Sequence, residues 1–216
     1  MDALLGRFLA RVRSRARPAH LPIYEDVVVA LDDYLRTHRR QASNLRPADL
    51  DRFLGHWAVC TARVPDRGTR RFCAALRVLV GDLARQIHCA RGAPLRRSVV
   101  RISRAAARAA RVTEFLDDSP VAVTDEASGD QAEFLDGYWI VVLRGTSHAV
   151  VRALGTRALV GPVLLPTTVL RFLDPGAVIN MCIVPVGQHW CVLEHGPCYP
   201  SAALPALRGA SRPVPA

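Results

Sequence analysis

Five arginines between residues 97 and 111 form the sharpest chemical pattern in this sequence. They are Arg97, Arg101, Arg104, Arg108 and Arg111, at spacings of 4, 3, 4 and 3 residues. On an α-helix this spacing places all five side chains on one face, about 21 Å long at 1.5 Å per residue. Their like charges repel one another unless an anion compensates them. A nucleic-acid backbone would do so, because guanidinium groups grip phosphate oxygens in pairs.

The same five side chains have other possible roles. They can lie on a solvated helix face, or dock on the acidic segment of this chain at residues 117–136, which would then mimic nucleic acid and inhibit binding. They can also contact an acidic protein or lipid surface. The pattern favours nucleic acid, and DNA over RNA, without excluding these alternatives.

A second basic face is predicted near the start of the chain. Arg7, Arg11 and Arg15 follow one another four residues apart, opposite an apolar stripe that includes Phe8. We count these arginines among the candidate phosphate ligands. Such a helix can also lie on a membrane surface, although packing against the other helices is the simpler expectation.

Aromatic residues near the C-terminal end offer possible stacking surfaces for bases. Tyr138 and Tyr199 are the candidates for stacking, since base stacking needs an exposed ring face. Trp139 and Trp190 are expected to fill the core instead.

Cysteine and histidine residues raise the question of a metal site. The set is Cys182, His189, Cys191, His195 and Cys198. Its spacing is irregular and contains no Cys-x-x-Cys pair, so we predict buried thiols and surface imidazoles and no metal or cofactor. His56 and Cys60 share a helix face, as metal ligands or a catalytic pair would, but no third partner is visible.

Catalytic signatures are missing from the sequence. We find no glycine-rich phosphate loop, no serine elbow and no His-Glu-x-x-His helix. We therefore predict no catalytic residues and no enzymatic activity.

Charge is strongly segregated along the 216 residues. Residues 1–111 carry 23 arginines and 9 acids, residues 112–136 carry 8 acids and no arginine, and the rest carry 6 arginines and 2 acids. No apolar run is long enough to span a bilayer, and six cysteines are too sparse for a disulfide scaffold. We expect reduced thiols and a cytoplasmic location.

Apolar periodicity predicts helices in the first half of the chain. The predicted helices cover residues 2–16, begin near Tyr24 and Pro47, follow a turn at residues 64–68, and run from about Leu95 to Leu116. The helix that begins at Pro47 has the most regular apolar stripe.

The pattern changes to short β-rich runs after residue 136. Five strands are predicted, with a helical turn at residues 167–173 between the third and fourth. We predict an α+β protein with an N-terminal helical bundle and a small five-stranded β-barrel of the oligonucleotide-binding or SH3-like type. The domains would be residues 1–116, an acidic linker at 117–136, the barrel at 137–200 and a flexible tail at 201–216.

Part of the helical region resembles a known family. Residues 45–54 (Leu-Arg-Pro-Ala-Asp-Leu-Asp-Arg-Phe-Leu) and 69–79 (Thr-Arg-Arg-Phe-Cys-Ala-Ala-Leu-Arg-Val-Leu) are similar to the helical core-binding domain of tyrosine recombinases. The likeness covers about residues 24–88 and implies a helical domain that clasps DNA through its phosphates. The catalytic domain of that family has no counterpart here, so no catalytic residue carries over.

The sequence thus predicts a non-enzymatic nucleic-acid-binding protein. The main alternative is a protein-interaction adaptor or assembly subunit whose basic helix docks on an acidic partner. Salt-sensitive binding to arbitrary nucleic acids would support the first function. A tight stoichiometric protein complex would support the second.

Overall fold

The computed structural model describes residues 1–61, 68–86, 92–119 and 134–210. It divides into two compact units, Met1–Ala107 and Arg108–Ala216. Most of the predicted turn at residues 64–68, most of the acidic linker and the last six residues lie outside the described residues. The predicted α+β class is confirmed, because helices are followed by a closed five-stranded barrel.

In the first unit, two prolines lie at the boundary between the first two helices. The helix α1 (Ala3–Arg15) begins after Asp2, whose carboxylate accepts a hydrogen bond from the Leu4 amide at 2.8 Å. A 3₁₀ turn at Pro18–His20 leads into α2 (Leu21–Thr37), which holds Pro22 in its first turn. The second helix was predicted to begin near Tyr24 and begins three residues earlier, at Leu21, because Pro22 is accommodated in its first turn.

The helix predicted from Pro47 has an irregular centre. It consists of α3 (Pro47–Arg52), a π-helical segment (Phe53–Trp57) and α4 (Ala58–Cys60). The regular apolar stripe did not reveal this, because side-chain periodicity is insensitive to one widened turn.

Two longer helices complete the first unit. They are α5 (Thr69–Gln86) and α6 (Gly92–Asp117). They approach closely at Gly92, where a Cβ atom would lie 2.8 Å from the carbonyl oxygen of Ala84. Only glycine fits at position 92, because any other side chain would clash with the backbone of Ala84. Tyr34, Phe53 and Phe72 fill the core at 1 % exposure or less.

The division between the units falls inside α6 rather than in the acidic linker. Residues up to Ala107 belong to the first unit, and the last turns belong to the second. There Ala109, Val112 and Leu116 are buried in the same apolar cluster as the barrel residues. The helix thus supplies part of the core of the second unit.

The barrel consists of five strands and a helix. They are β1 (Leu135–Arg144), β2 (His148–Ala153), β3 (Leu159–Leu164), α7 (Thr167–Phe172), β4 (Val178–Val186) and β5 (His189–Tyr199). The strand order is β1-β2-β3-β5-β4, closed by pairing of β4 with β1, and β3 is parallel to β5. This order, with a helix between β3 and β4, favours the oligonucleotide-binding type over the SH3-like type.

The segment after β5 is structured, in contrast to the predicted flexible tail. A 3₁₀ turn at Ser201–Ala203 leads into α8 (Leu204–Ala210). Ala203 and Leu207 are buried at 0 % and 1 % exposure. The prolines of this region suggested fraying, but buried apolar residues between them outweigh that effect. Every helix within the described residues is too short or too polar to cross a membrane.

Candidate nucleic-acid interface

The structure places the five arginines of α6 on an unbroken helix but divides them between the two units. Arg97, Arg101 and Arg104 belong to the first unit, and Arg108 and Arg111 to the second. Each group is therefore described within its own unit.

Arg101 is held by a carboxylate of α3. Its terminal nitrogen Nη2 donates to both oxygens of Asp51, at 2.6 and 2.7 Å. The hydroxyl of Ser98, one turn earlier, lies 3.4 Å from the carbonyl oxygen of Pro47. Together these contacts tie α6 to the start of α3.

Arg108 and Arg111 are engaged within the second unit. Arg108 donates through Nε to Asp174 at 2.8 Å, and its guanidinium lies 5.7 Å from the centre of the Phe172 ring. Arg111 lies 5.5 Å from the rings of both Phe115 and Phe172, and 3.6 Å from Glu114. These side chains stabilise the approach of α7 to α6.

The expectation of five available guanidinium groups therefore needs correction. Three of the five are matched by carboxylates of the same chain, which the spacing of the arginines alone did not reveal. Arg97 and Arg104 differ from them: both are exposed and have no hydrogen bond or ion pair within the described part of the chain. Arg96, next to Arg97, is equally exposed and was missed because it lies outside the 4-3-4-3 spacing.

The arginines of α1 also divide into engaged and available groups. Arg11 forms an ion pair with Asp82 of α5. Arg7 and Arg15 are exposed and have no ion pair among the residues described. Two of the three predicted phosphate ligands on this helix thus remain available.

These residues belong to a larger surplus of positive charge on the first unit. Thirteen arginines there have exposed side chains and no ion pair within the described residues. They are Arg7, Arg15, Arg17, Arg39, Arg40, Arg46, Arg52, Arg70, Arg71, Arg77, Arg96, Arg97 and Arg104. By contrast, the first unit has eight described carboxylates, and seven of them already accept a hydrogen bond or form an ion pair. Asp26 is the exception within the described residues.

The tyrosines proposed for base stacking lie together at one end of the barrel. The rings of Tyr138 and Tyr199 meet edge to face at 6.1 Å. Tyr199 is only 3 % exposed, so it presents no free ring face and drops out of the candidate set. Tyr138 is half-buried. Trp139 lies in the barrel core, as expected, and its indole nitrogen donates to the Met181 carbonyl.

The outer face of β1, β2 and β3 carries three exposed leucines. Leu143 lies opposite Val150, and Leu159 and Leu164 lie opposite Arg152 and His148. The three leucines are 59 %, 63 % and 40 % exposed. Oligonucleotide-binding barrels bind their ligands on the β2–β3 face, but here that face carries no Phe, Tyr or Trp side chain.

The cysteine and histidine residues do not assemble a metal site in the described residues, where no three potential ligands converge. Cys198 is buried, and burial together with the nearby Asp174 carboxylate raises the pKa of its thiol to about 12. Burial likewise raises the pKa of the Cys73 thiol to about 11. Thiols in such surroundings remain protonated and unreactive at neutral pH.

His56 and Cys60 do meet, with Nε2 and Sγ 3.3 Å apart. Burial lowers the pKa of His56, which keeps its imidazole neutral. The i, i+4 spacing predicted that the two side chains share a helix face.

Comparisons with protein-family models, curated proteins and solved structures found no match to this chain. The resemblance of residues 24–88 to recombinase core-binding domains stays a prediction. The geometry of the two units is therefore the basis for any statement about function.

Proposed function

We propose that the first unit binds nucleic acid through its phosphates, without catalysis and with little dependence on base sequence. The observation that carries this proposal is the surplus of exposed arginines that have no ion pair within the described residues, beside described carboxylates that are almost all engaged. Such a surface attracts polyanions and releases their condensed counterions on binding.

Within α6, Arg97 and Arg104 would contact phosphates. The other three arginines, Arg101, Arg108 and Arg111, would stabilise the fold through their contacts within the chain. An exposed guanidinium without a partner gives up no existing ion pair when phosphate binds. Arg101 would first have to leave Asp51. The binding surface we propose is thus smaller on α6 than its arginine spacing predicts, and it extends to α1 and α5.

The salt dependence of duplex DNA binding tests the proposal. For the unaltered chain, the logarithm of affinity should fall linearly with the logarithm of salt concentration, with a slope of about 0.9 per phosphate contact. The double variant Arg97→Gln/Arg104→Gln should bind more weakly and reduce that slope by up to about 1.8.

A matched control lies in the second unit. Arg157 and Arg208 are exposed and have no ion pair within the described residues, so Arg157→Gln/Arg208→Gln removes the same charge from the barrel unit. This variant should bind almost as tightly as the parent chain. Equal losses in both double variants would mean that only net charge matters, and unchanged affinity in the first would refute the assignment.

A protein-interaction role is the second candidate, and the exposed leucines of the barrel favour it. Leu143, Leu159 and Leu164 are exposed on one outer face of the barrel, and exposed apolar residues that lie together often mark contact surfaces between proteins. In that case Leu143→Ser/Leu164→Ser would abolish a stoichiometric protein complex and leave polyanion binding unchanged.

A further inference from the structure

A groove in the first unit combines an apolar lining with positive charge. It is open to solvent and has a volume of about 260 Å³ between α1, α5 and the start of α2. Its apolar side is formed by Phe8, Val12, Tyr24 and Val78. Tyr24 packs edge to face on Phe8 at 6.1 Å, which positions its ring at the groove. Val78 is 49 % exposed, so its side chain is accessible at the groove.

The charged side of the groove holds three guanidinium groups and one carboxylate. Arg11 and Arg85 both form ion pairs with Asp82, which also accepts a hydrogen bond from Gln86 at 2.5 Å. Arg15 lines the groove without an ion pair in the described residues. One carboxylate thus orders two arginines and leaves the groove with an excess of two positive charges.

Arg11 and Arg15 lie one helical turn apart, and their like charges repel one another. An anion that enters the groove would relieve this repulsion, and Arg15 could bind it without giving up an ion pair within the described residues. The groove is therefore complementary to a ligand with an anionic group and a flat apolar group.

We propose that this groove binds one nucleotide of a single-stranded nucleic acid, with its phosphate near Arg15 and its base against Tyr24. This inference rests on the proposed function and deepens it, because it names the form of nucleic acid. The bases of a duplex are paired and stacked inside it, whereas an unpaired base can leave the stack and pack on an aromatic side chain. A volume of 260 Å³ lies below the range for sites that enclose drug-sized ligands, so this open groove would cover one nucleotide only in part.

The test compares a labelled oligothymidine strand with inorganic polyphosphate, which has the charge but no bases. Binding of each to the full chain is measured by anisotropy, directly or in competition. Tyr24→Leu should weaken oligothymidine binding about fivefold or more, since base stacking on an aromatic ring is lost. It should leave polyphosphate binding unchanged.

Two further variants keep the test decisive if Tyr24→Leu impairs folding. Val78→Glu places a carboxylate in the groove at an exposed position and should weaken oligothymidine binding more than duplex binding. Arg15→Gln should weaken it more than Arg7→Gln, a matched change on the same helix outside the groove.

The inference is overturned if Tyr24→Leu and Val78→Glu leave oligothymidine binding intact, or if they reduce oligothymidine, duplex and polyphosphate binding alike. Should Arg97→Gln/Arg104→Gln still lower the salt slope in that case, the proposed function survives and only the groove is refuted. If no polyanion binds the parent chain, both fail.

Discussion

Asp51 accepts hydrogen bonds on both of its carboxylate oxygens from a single nitrogen of Arg101, 50 residues further along the chain. The Arg101 side chain is 59 % exposed and that of Asp51 26 %. The pair thus occupies an arginine that would otherwise face solvent, and it lowers the free charge of α6.

Asp51→Asn should therefore raise the affinity for duplex DNA. The change frees the Arg101 guanidinium, and the steeper salt dependence should correspond to about one additional phosphate contact. Because the pair is near the surface, the free energy of unfolding should fall by less than about 1 kcal/mol. Binding isotherms at several salt concentrations and urea denaturation measure both effects. A weaker affinity would contradict the role given to Asp51.

Arg104→Gln and Arg108→Gln should separate binding from stability. Arg104 has no partner within the described residues, so its replacement should reduce DNA binding and leave the free energy of unfolding unchanged. Arg108 contacts Asp174 and the Phe172 ring, so its replacement should cost about 1 kcal/mol of stability and leave binding unchanged. Denaturation and binding of both variants are compared. A similar profile for the two variants would show that the division of α6 arginines is wrong.

The order of secondary-structure elements could be predicted because local patterns determine it. Val, Ile and Leu are frequent in the barrel strands, and the structure has the five strands that were predicted after residue 136. The helical turn before β4 was predicted at its first residue, Thr167. Such patterns reflect which face of an element is buried, and that is encoded within a few neighbouring residues.

Long-range pairing could not be predicted in the same way. Nothing near Arg101 or Arg108 indicates that Asp51 and Asp174 lie beside them, 50 and 66 residues away. The division inside α6 was missed for a similar reason, since Val112 and Leu116 continue an ordinary helical stripe whichever core they enter. Tyr24 was predicted only to begin a helix, because its position beside α1 and α5 depends on tertiary packing.

Leu116→Ala should destabilise the barrel unit. Leu116 is 5 % exposed and packs in the barrel core from the last turns of α6. Truncating a buried leucine costs about 2–5 kcal/mol, because the space left behind is not refilled completely. Val142→Ala, at a residue 42 % exposed on β1, is the control and should change stability by less than about 0.5 kcal/mol. Thermal unfolding followed by tryptophan fluorescence reports the change, and equal effects in both variants would argue against α6 as part of this core.

Tyr34 should make the first unit sensitive to alkaline pH. Its ring is 1 % exposed and packs on Phe53 at 5.3 Å and Trp57 at 5.8 Å. Burial, reinforced by the Asp49 carboxylate, raises the pKa of its phenol from 10.0 to about 12. The folded chain therefore holds this proton at a pH where the unfolded chain has released it.

The sign of the effect follows from proton linkage. Below about pH 10 the phenol is protonated in both states, so the contribution of Tyr34 is fully present. As pH rises from about 10 to 12 the unfolded state binds fewer protons, and the free energy of unfolding falls by about 2 to 3 kcal/mol. Tyr34→Phe removes this loss, while the buried thiols of Cys73 and Cys198 affect parent and variant alike. Urea midpoints of the two chains should agree near neutral pH and diverge above about pH 10, with the phenylalanine variant the more stable. Parallel curves across that range would show that the Tyr34 phenol ionises as freely in the folded chain as in the unfolded one.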